Sequence, residues 1–437
     1  MMQKVNLFWF RRDLRLDDNT GLYHALKAGL PVVPVFIFDK DILDHLEDRN
    51  DKRVHFIYHA LLGLQKILVK EGTALIVKYG TPENVLQQLM EEYAIQTVFT
   101  NHDYEPYAID RDARVASLLQ KAGVAFQSFK DQVIFEKDEV AKPDGTLYQV
   151  FTPYSKKWQS QLTPASYQSF YVESSFSKFL KREPQEWPAL SAMGFQEPDN
   201  VFEGPNPDKS IIEHYHATRN VPSVAGTSRL GVHLRFGTIS IRKLVQLVLP
   251  LNETFLNELI WREFFMSQLW QMPYLVNKAC KPQYDSIRWR NDTEEFALWC
   301  QGKTGFPIVD AGMRELNETG FMHNRVRMIV ASFLVKDLLI DWRWGEAYFA
   351  GKLMDYELAS NVGNWQWVAG CGCDAAPYFR VFSPEAQAQK FDKDERYIRR
   401  WIPEYGTKAY PNPMLDHKEA ARRCLMVFKD AVATLQV

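Results

Sequence analysis

Cysteine is scarce: Cys280, Cys300, Cys371, Cys373 and Cys424 are the only five in 437 residues. An odd number spread over a long chain excludes the disulfide framework of a small secreted domain. Cys371 and Cys373 form a CxC pair, but two soft ligands do not make a zinc or iron–sulfur site, and no metal is expected. No apolar run approaches the roughly 18 residues of a membrane span, and a basic-then-apolar leader is missing, so the expected location is cytoplasmic, without membrane association. Net charge is only −2, which excludes coating of nucleic acid by bulk positive charge. No GxGxxG opens the first helix, so the usual dinucleotide fingerprint is lacking. Gly302-Lys303-Thr304 imitates the end of a phosphate-binding loop, but Ala297 stands where that loop needs glycine, and no strand precedes it.

What is present divides the chain. Up to residue 200 there are 27 acidic against 23 basic residues, and beyond it 27 against 29. Nine of the twelve tryptophans also fall in the later part, where an aromatic-lined site is to be sought. Apolar and β-branched runs at 5–10, 32–38, 74–79 and 97–101 alternate with periodic stretches such as 52–72, which predicts a parallel α/β sheet built from right-handed crossovers. Residues 130–200, rich in Pro, Ser, Gln and Lys, read as a surface-running connection. From about 210 onward the pattern is helical, with 252–271 and 323–354 as the longest helices and the second broken near Gly345.

Chemistry concentrates on those two helices. Glu258, Trp261, Arg262 and Phe265 share one face at i, i+3, i+4 and i+7. A stripe mixing carboxylate, indole and guanidinium is a poor core, so it either lines a polar cavity or holds an internal ion pair. Asn324, Arg327 and Met328 repeat the mixture, offering a base-edge amide, a forked cation and a soft apolar contact. TSRLG at 227–231 follows a Pro- and Gly-containing turn and either holds a phosphate or caps a helix. Asp355, Glu357 and Asn361 precede the tryptophan-rich run at 364–380.

Over essentially the whole chain these segments resemble the photolyase/cryptochrome family, most closely class I cyclobutane pyrimidine dimer photolyases. The resemblance rests on WFRRDLRLDDN at 9–19, GTSRL, NELIWREF, KTGFPIVDAGMR, HNRVRM, ASFLVKDLLIDWR and NWQWVAG followed by DAAPYFR. It implies a Rossmann-like α/β antenna domain over 1–130, a connector over 131–200 and an all-α FAD-binding catalytic domain over 201–437. By motif, Tyr215 and Thr227, Ser228, Arg229, Leu230 and Gly231 line the flavin diphosphate and ribityl chain. Arg262, Tyr356 and Glu357 belong to the same cofactor set, Arg327 and Asp355 lie beside the isoalloxazine ring, and Asn361 faces flavin N5. Glu258 and Asn324 address the dimer, with Trp261, Trp367 and Met328 as apolar walls. Trp365, Trp342 and Trp289 match an electron relay. Arg219, Arg325, Arg380 and Gln387 match DNA-backbone contacts, and Glu258, Trp261, Arg262, Phe265 and Asn324 also face the DNA.

The implied activity is light-driven splitting of the dimer in UV-damaged DNA by a deoxyribodipyrimidine photo-lyase acting as a monomer. (6-4) photolyases place His near the position of Asn324, whereas here His323 precedes it. The rival is a blue-light receptor on the same fold; such members often carry a long C-terminal extension, whereas this chain ends with its last helical stretch, 418–437. The chain departs from the family at Glu357, one methylene longer than the usual Asp, and at Gly231, often Ser. EPYAIDRD at 105–112 lacks the Asn-Glu pair of folate binders, which leaves a folate, deazaflavin or flavin antenna, or none.

Overall fold

The computed structural model describes residues 2–197 and 202–433, which divide into two compact units. The first comprises Met1–Glu136, Gln161–Pro207 and Leu230–Pro250; the second comprises Lys137–Ser160, Asp208–Arg229 and Leu251–Val437. The stretch expected as a connector is thus shared between the units.

In the first unit β1 (Lys4–Phe10), β2 (Val32–Asp39), β3 (Ile76–Gly80), β4 (Ala94–Asn101) and β5 (Ala125–Phe129) form one parallel sheet in the order β3-β2-β1-β4-β5. Helices α1 (Thr20–Lys27), α2 (Lys52–Lys70), α3 (Pro82–Glu92) and α4 (Pro106–Lys121) provide the crossovers. β1 and β2 are almost wholly buried apolar runs, as strands covered on both faces must be. β5 was not foreseen: it is an edge strand with no fully buried residue and little apolar signal. Most of the 9–19 motif is structural. Asn19 caps α1, Arg15 Nη2 pairs with Asp131 Oδ2 at 2.6 Å, and Asp18 accepts from Arg242 and Ser240. Burial pushes the Asp131 carboxyl up, but Arg15 and Arg242 outweigh it and hold it at about 2.

The second unit is helical: α5 (Phe151–Gln161), α6 (Glu253–Gln271), α7 (Thr293–Gln301), α8 (Pro307–Thr319), α9 (Asn324–Ser332), α10 (Trp342–Lys352), α11 (Leu358–Ala369) and α12 (His417–Ala433), joined by shorter turns. Helix α5 corrects the expectation of an aperiodic connector. Its apolar content is low, and it is fixed by contacts from α6: Trp158 Nε1 donates to Glu263 at 2.6 Å and Ser155 Oγ to Asn257 at 3.0 Å. The break in 323–354 also differs. A π-helical turn, Phe333–Asp337, ends α9, Leu339 takes φ +54°, and Asp341 caps α10. Gly345 lies inside α10, where a Cβ would fall 2.1 Å from the Trp365 ring; its bareness lets α10 and α11 approach. Gly363 does the same for α11 and α6, since its Cβ would meet Phe265 at 2.2 Å. All nine tryptophans beyond residue 200 are buried or half-buried, and Trp158 of α5 is buried too.

Candidate active site

Helices α6, α9, α10 and α11 surround a cavity of about 380 Å³. The two mixed stripes read from the sequence both face it: Glu258, Trp261, Arg262 and Phe265 from α6, and Asn324, Arg327 and Met328 from α9, where Arg325 joins them. Asp355, Tyr356 and Glu357 enter from the turn before α11, and Asn361, Trp365 and Trp367 from α11 itself. The either–or left by the α6 stripe resolves into both at once, for the face lines a polar cavity and is also ion-paired.

Arg262 and Glu357 form a two-point fork, Nη2–Oε1 at 3.0 Å and Nε–Oε2 at 2.9 Å, with side chains only 10% and 6% exposed. The extra methylene of Glu357 therefore spans to a guanidinium on α6. Arg327 Nη2 donates to Asp355 Oδ2 at 2.9 Å and its Nε to the Met322 carbonyl at 2.7 Å. Asp355 Oδ1 is buried and has no partner among the described residues. Both amide hydrogens of Asn361 go to Glu346, 3.0 Å to its carbonyl and 2.9 Å to Oε1, which leaves the amide oxygen for the cavity. Burial pushes the Glu346 carboxyl up, opposed by that hydrogen bond. An unspent acid oxygen, an amide oxygen and a forked cation are the partners that the edge of an isoalloxazine ring requires, and the residues present fit the flavin.

In the same lining, Arg219 Nη1 pairs with Glu258 Oε1 at 2.6 Å. Burial raises the Glu258 carboxyl, with Arg219 opposing. Trp261 is held flat by Phe151 of α5, ring centroids 3.7 Å apart and 5° from parallel. Arg325 donates to Asn220 Oδ1 at 2.7 Å and lies over the Phe391 ring. Burial, then Arg219 and Arg380, lower its guanidinium, so three cations share one neighbourhood.

Other expected residues lie outside the cavity lining. Tyr215 packs edge-on to Phe255 at 5.0 Å, and burial followed by Glu258 raises its phenol. Thr227 and Ser228 are half-buried, and Arg229 takes φ +53° over the Phe321 ring, which Arg327 shares. The boundary between units falls inside this motif, and Leu230 and Gly231 begin a short helix of the first unit. Arg380 is exposed and Gln387 half-buried. Trp342 lies one turn before Gly345 and is buried, whereas Trp289 is half-buried and edge-on to Phe428. The indole in ring contact with Trp365 is instead Trp299 of α7, at 6.3 Å. Phe151, Asn220, Trp299 and Glu346 were not singled out from sequence; each lies in a segment whose local pattern is ordinary.

His323 caps α9, its Nδ1 accepting from Arg325 N–H at 3.1 Å. Burial, then Arg327 and Arg325, lower its imidazole to about 4. An unfolded chain takes up that proton near pH 6.5, so between about pH 6.5 and 4 the unfolded state holds more protons and stability is lost on acidification. His323→Asn keeps a cap acceptor without the titration. The stability advantage of wild type over this variant is expected to fall by about 1.4 kcal/mol per pH unit through that window. Urea denaturation at pH 7 and 5 reads it, and a pH-independent difference contradicts the assignment.

Residues 6–171 match the DNA photolyase family and residues 255–408 the FAD binding domain of DNA photolyase. The deoxyribodipyrimidine photo-lyase of Synechococcus sp. is 36% identical, covering 94% of this chain and 93% of its own length. The crystal structure of a bacterial class III photolyase from Agrobacterium tumefaciens superposes with a TM-score of 0.86 at 33% identity, over 99% of this chain and 98% of that one. The Synechocystis sp. cryptochrome gives 0.86 at 26% identity, over 98% and 99%. The class I expectation is narrower than these matches, since a class III structure stands among them. With both domains matched in order and the Synechococcus relative aligned over more than nine tenths of both chains, the chain belongs to the photolyase/cryptochrome family and carries that family's FAD-binding domain in its helical unit.

Proposed function

We propose that this chain is a light-dependent DNA-repair enzyme that splits cyclobutane pyrimidine dimers. The observation that carries the reading is that one cavity is lined by both a flavin-compatible polar set and the aromatic residues Trp261, Phe265 and Trp367. Asn361, Arg327, Asp355, Tyr356, Arg262 and Glu357 hold the ring end of FAD, and Tyr215 with the 227–231 segment holds the rest. The chemistry this cofactor supplies when bound is light-driven transfer of one electron to the lesion, followed by its return.

The side chains of the protein prepare the substrate. A dimer is paired and stacked more weakly than intact bases, which lowers the cost of its extrusion from the duplex, a step known for photolyases generally. Trp261, held by Phe151, then offers a stacking face, with Trp367 and Met328 as water-excluding walls. Phosphate arriving at Arg219 competes with Glu258 for the guanidinium. Glu258, whose carboxyl is raised by burial, is thereby freed to hydrogen-bond the base, and Asn324 addresses the base edge. Trp365, Trp342 and Trp289 carry reducing equivalents from the surface.

Repair of a thymine dimer in an oligonucleotide under blue light, with the reduced holoprotein, tests the reading. Loss of the dimer only in light supports it. Photoreduction of the flavin with the dimer intact would instead favour a signalling role like that of cryptochromes.

Arg219, Arg325, Arg380 and Gln387 position the backbone without reading sequence. Arg325→Ala is expected to weaken binding to DNA of any sequence and to lower the salt slope by about one phosphate contact. An unchanged slope in a salt titration removes Arg325 from the backbone set.

A further inference from the structure

Cys280 Sγ and Cys373 Sγ lie 2.7 Å apart, both as free thiols. A disulfide closes at about 2.05 Å, so a shift well under an ångström separates this pair from a covalent link. Polar contacts that do not involve sulfur hold their backbones together. Cys280 N–H donates to Gln366 Oε1 at 3.0 Å and Lys281 N–H to the Cys371 carbonyl at 3.0 Å. Gln366 Nε2 also donates to the carbonyls of Leu275 and Lys278 at 2.8 and 3.0 Å. Segment 275–281 is thus clipped to the end of α11 before any oxidation. We propose that Cys280 and Cys373 are an oxidation site, a dithiol that small-molecule disulfides of the glutathione type convert to an intramolecular cross-link.

The two thiols are unequal in a way that sets the order of steps. Cys280 is half-exposed and Cys373 buried. The contact with Cys373, and then Lys281, lower the Cys280 thiol against its burial, whereas that contact and burial raise Cys373. The Cys280 thiolate attacks one sulfur of oxidised glutathione and expels one glutathione thiolate. Cys373 then attacks Cys280 Sγ, breaks the mixed disulfide and expels the second. Two electrons pass from the cysteine pair to glutathione, and the two cysteine protons end on the two glutathione thiols. The remaining cysteines are poor competitors, since burial pushes Cys371 and Cys300 up to about 12 and Cys424 to about 11. The cross-link closes a loop of more than 90 residues, Cys280 to Cys373. It stabilises the fold mainly by limiting the unfolded chain.

The test treats the full-chain holoprotein with oxidised glutathione, then alkylates free thiols under denaturing conditions and maps peptides by mass. Loss of two hydrogens with a Cys280–Cys373 peptide, reversed by dithiothreitol, is expected, together with a Tm higher by about 5 °C. Cys373→Ser should stop at a glutathione adduct on Cys280, and Cys280→Ser should take up none. If wild type yields both cysteines alkylated, a lasting glutathione adduct, or a cross-link through Cys371, the site does not exist.

Discussion

Glu357→Ala is expected to lower folding stability by about 3–5 kcal/mol and to yield protein that loses its flavin on purification. Glu357 and Arg262 are almost wholly withdrawn from water and meet at two points, 2.9 and 3.0 Å. A buried pair of this kind adds little net stability compared with apolar residues of the same shape, because desolvation offsets attraction. Removing one member is different, since it strands the other charge. Here the charge left behind would be a guanidinium in the wall of the cavity. Glu357→Asp distinguishes geometry from charge: the acid remains but cannot span to α6 with the same fork, and an intermediate loss is expected. Guanidinium denaturation together with the flavin-to-protein absorbance ratio reads both effects. A Glu357→Ala protein within about 1 kcal/mol of wild type with full flavin content would mean that the fork does not organise the cavity.

Trp261→Ala carries the second large effect. Stacking of a base on an aromatic side chain contributes about 1–3 kcal/mol, so affinity for dimer-containing DNA is expected to fall about 10- to 100-fold. Affinity for undamaged DNA should change little, and the salt slope should not change, because no phosphate contact is lost. That combination separates Trp261 from Arg325, whose replacement weakens both DNAs and alters the slope. Phe151→Ala is a milder companion, since it removes the ring on which Trp261 lies flat and leaves the indole in place. Equal loss on damaged and undamaged DNA in a Trp261→Ala titration would place the indole outside the lesion pocket.

The two α6 and α9 stripes were legible because a helix repeats every 3.6 residues, so spacing alone puts Glu258, Trp261 and Arg262 on one face. The parallel sheet was legible for a similar reason, as buried strands are unbroken apolar runs. β5 and α5 were not, because neither carries a strong apolar period. The edge position of β5 spares it burial, and the stability of α5 comes from partners on α6 more than 100 residues away. The break before α10 was sought at a glycine, yet it occurs at Leu339 and Asp341, while Gly345 serves close packing inside the helix.

By itself the sequence determined which faces are amphipathic, which runs are buried, and the motifs that identify the family. Tertiary structure alone decided the pairings: Arg262 with Glu357, Asn361 with Glu346, Trp261 with Phe151, and Cys280 with Cys373. The physical reason is range. Periodicity is a property of neighbours along the chain, whereas an ion pair, a ring stack or a thiol pair depends on distances of a few ångströms between segments separated by 15 residues or more, which only the packed helices define.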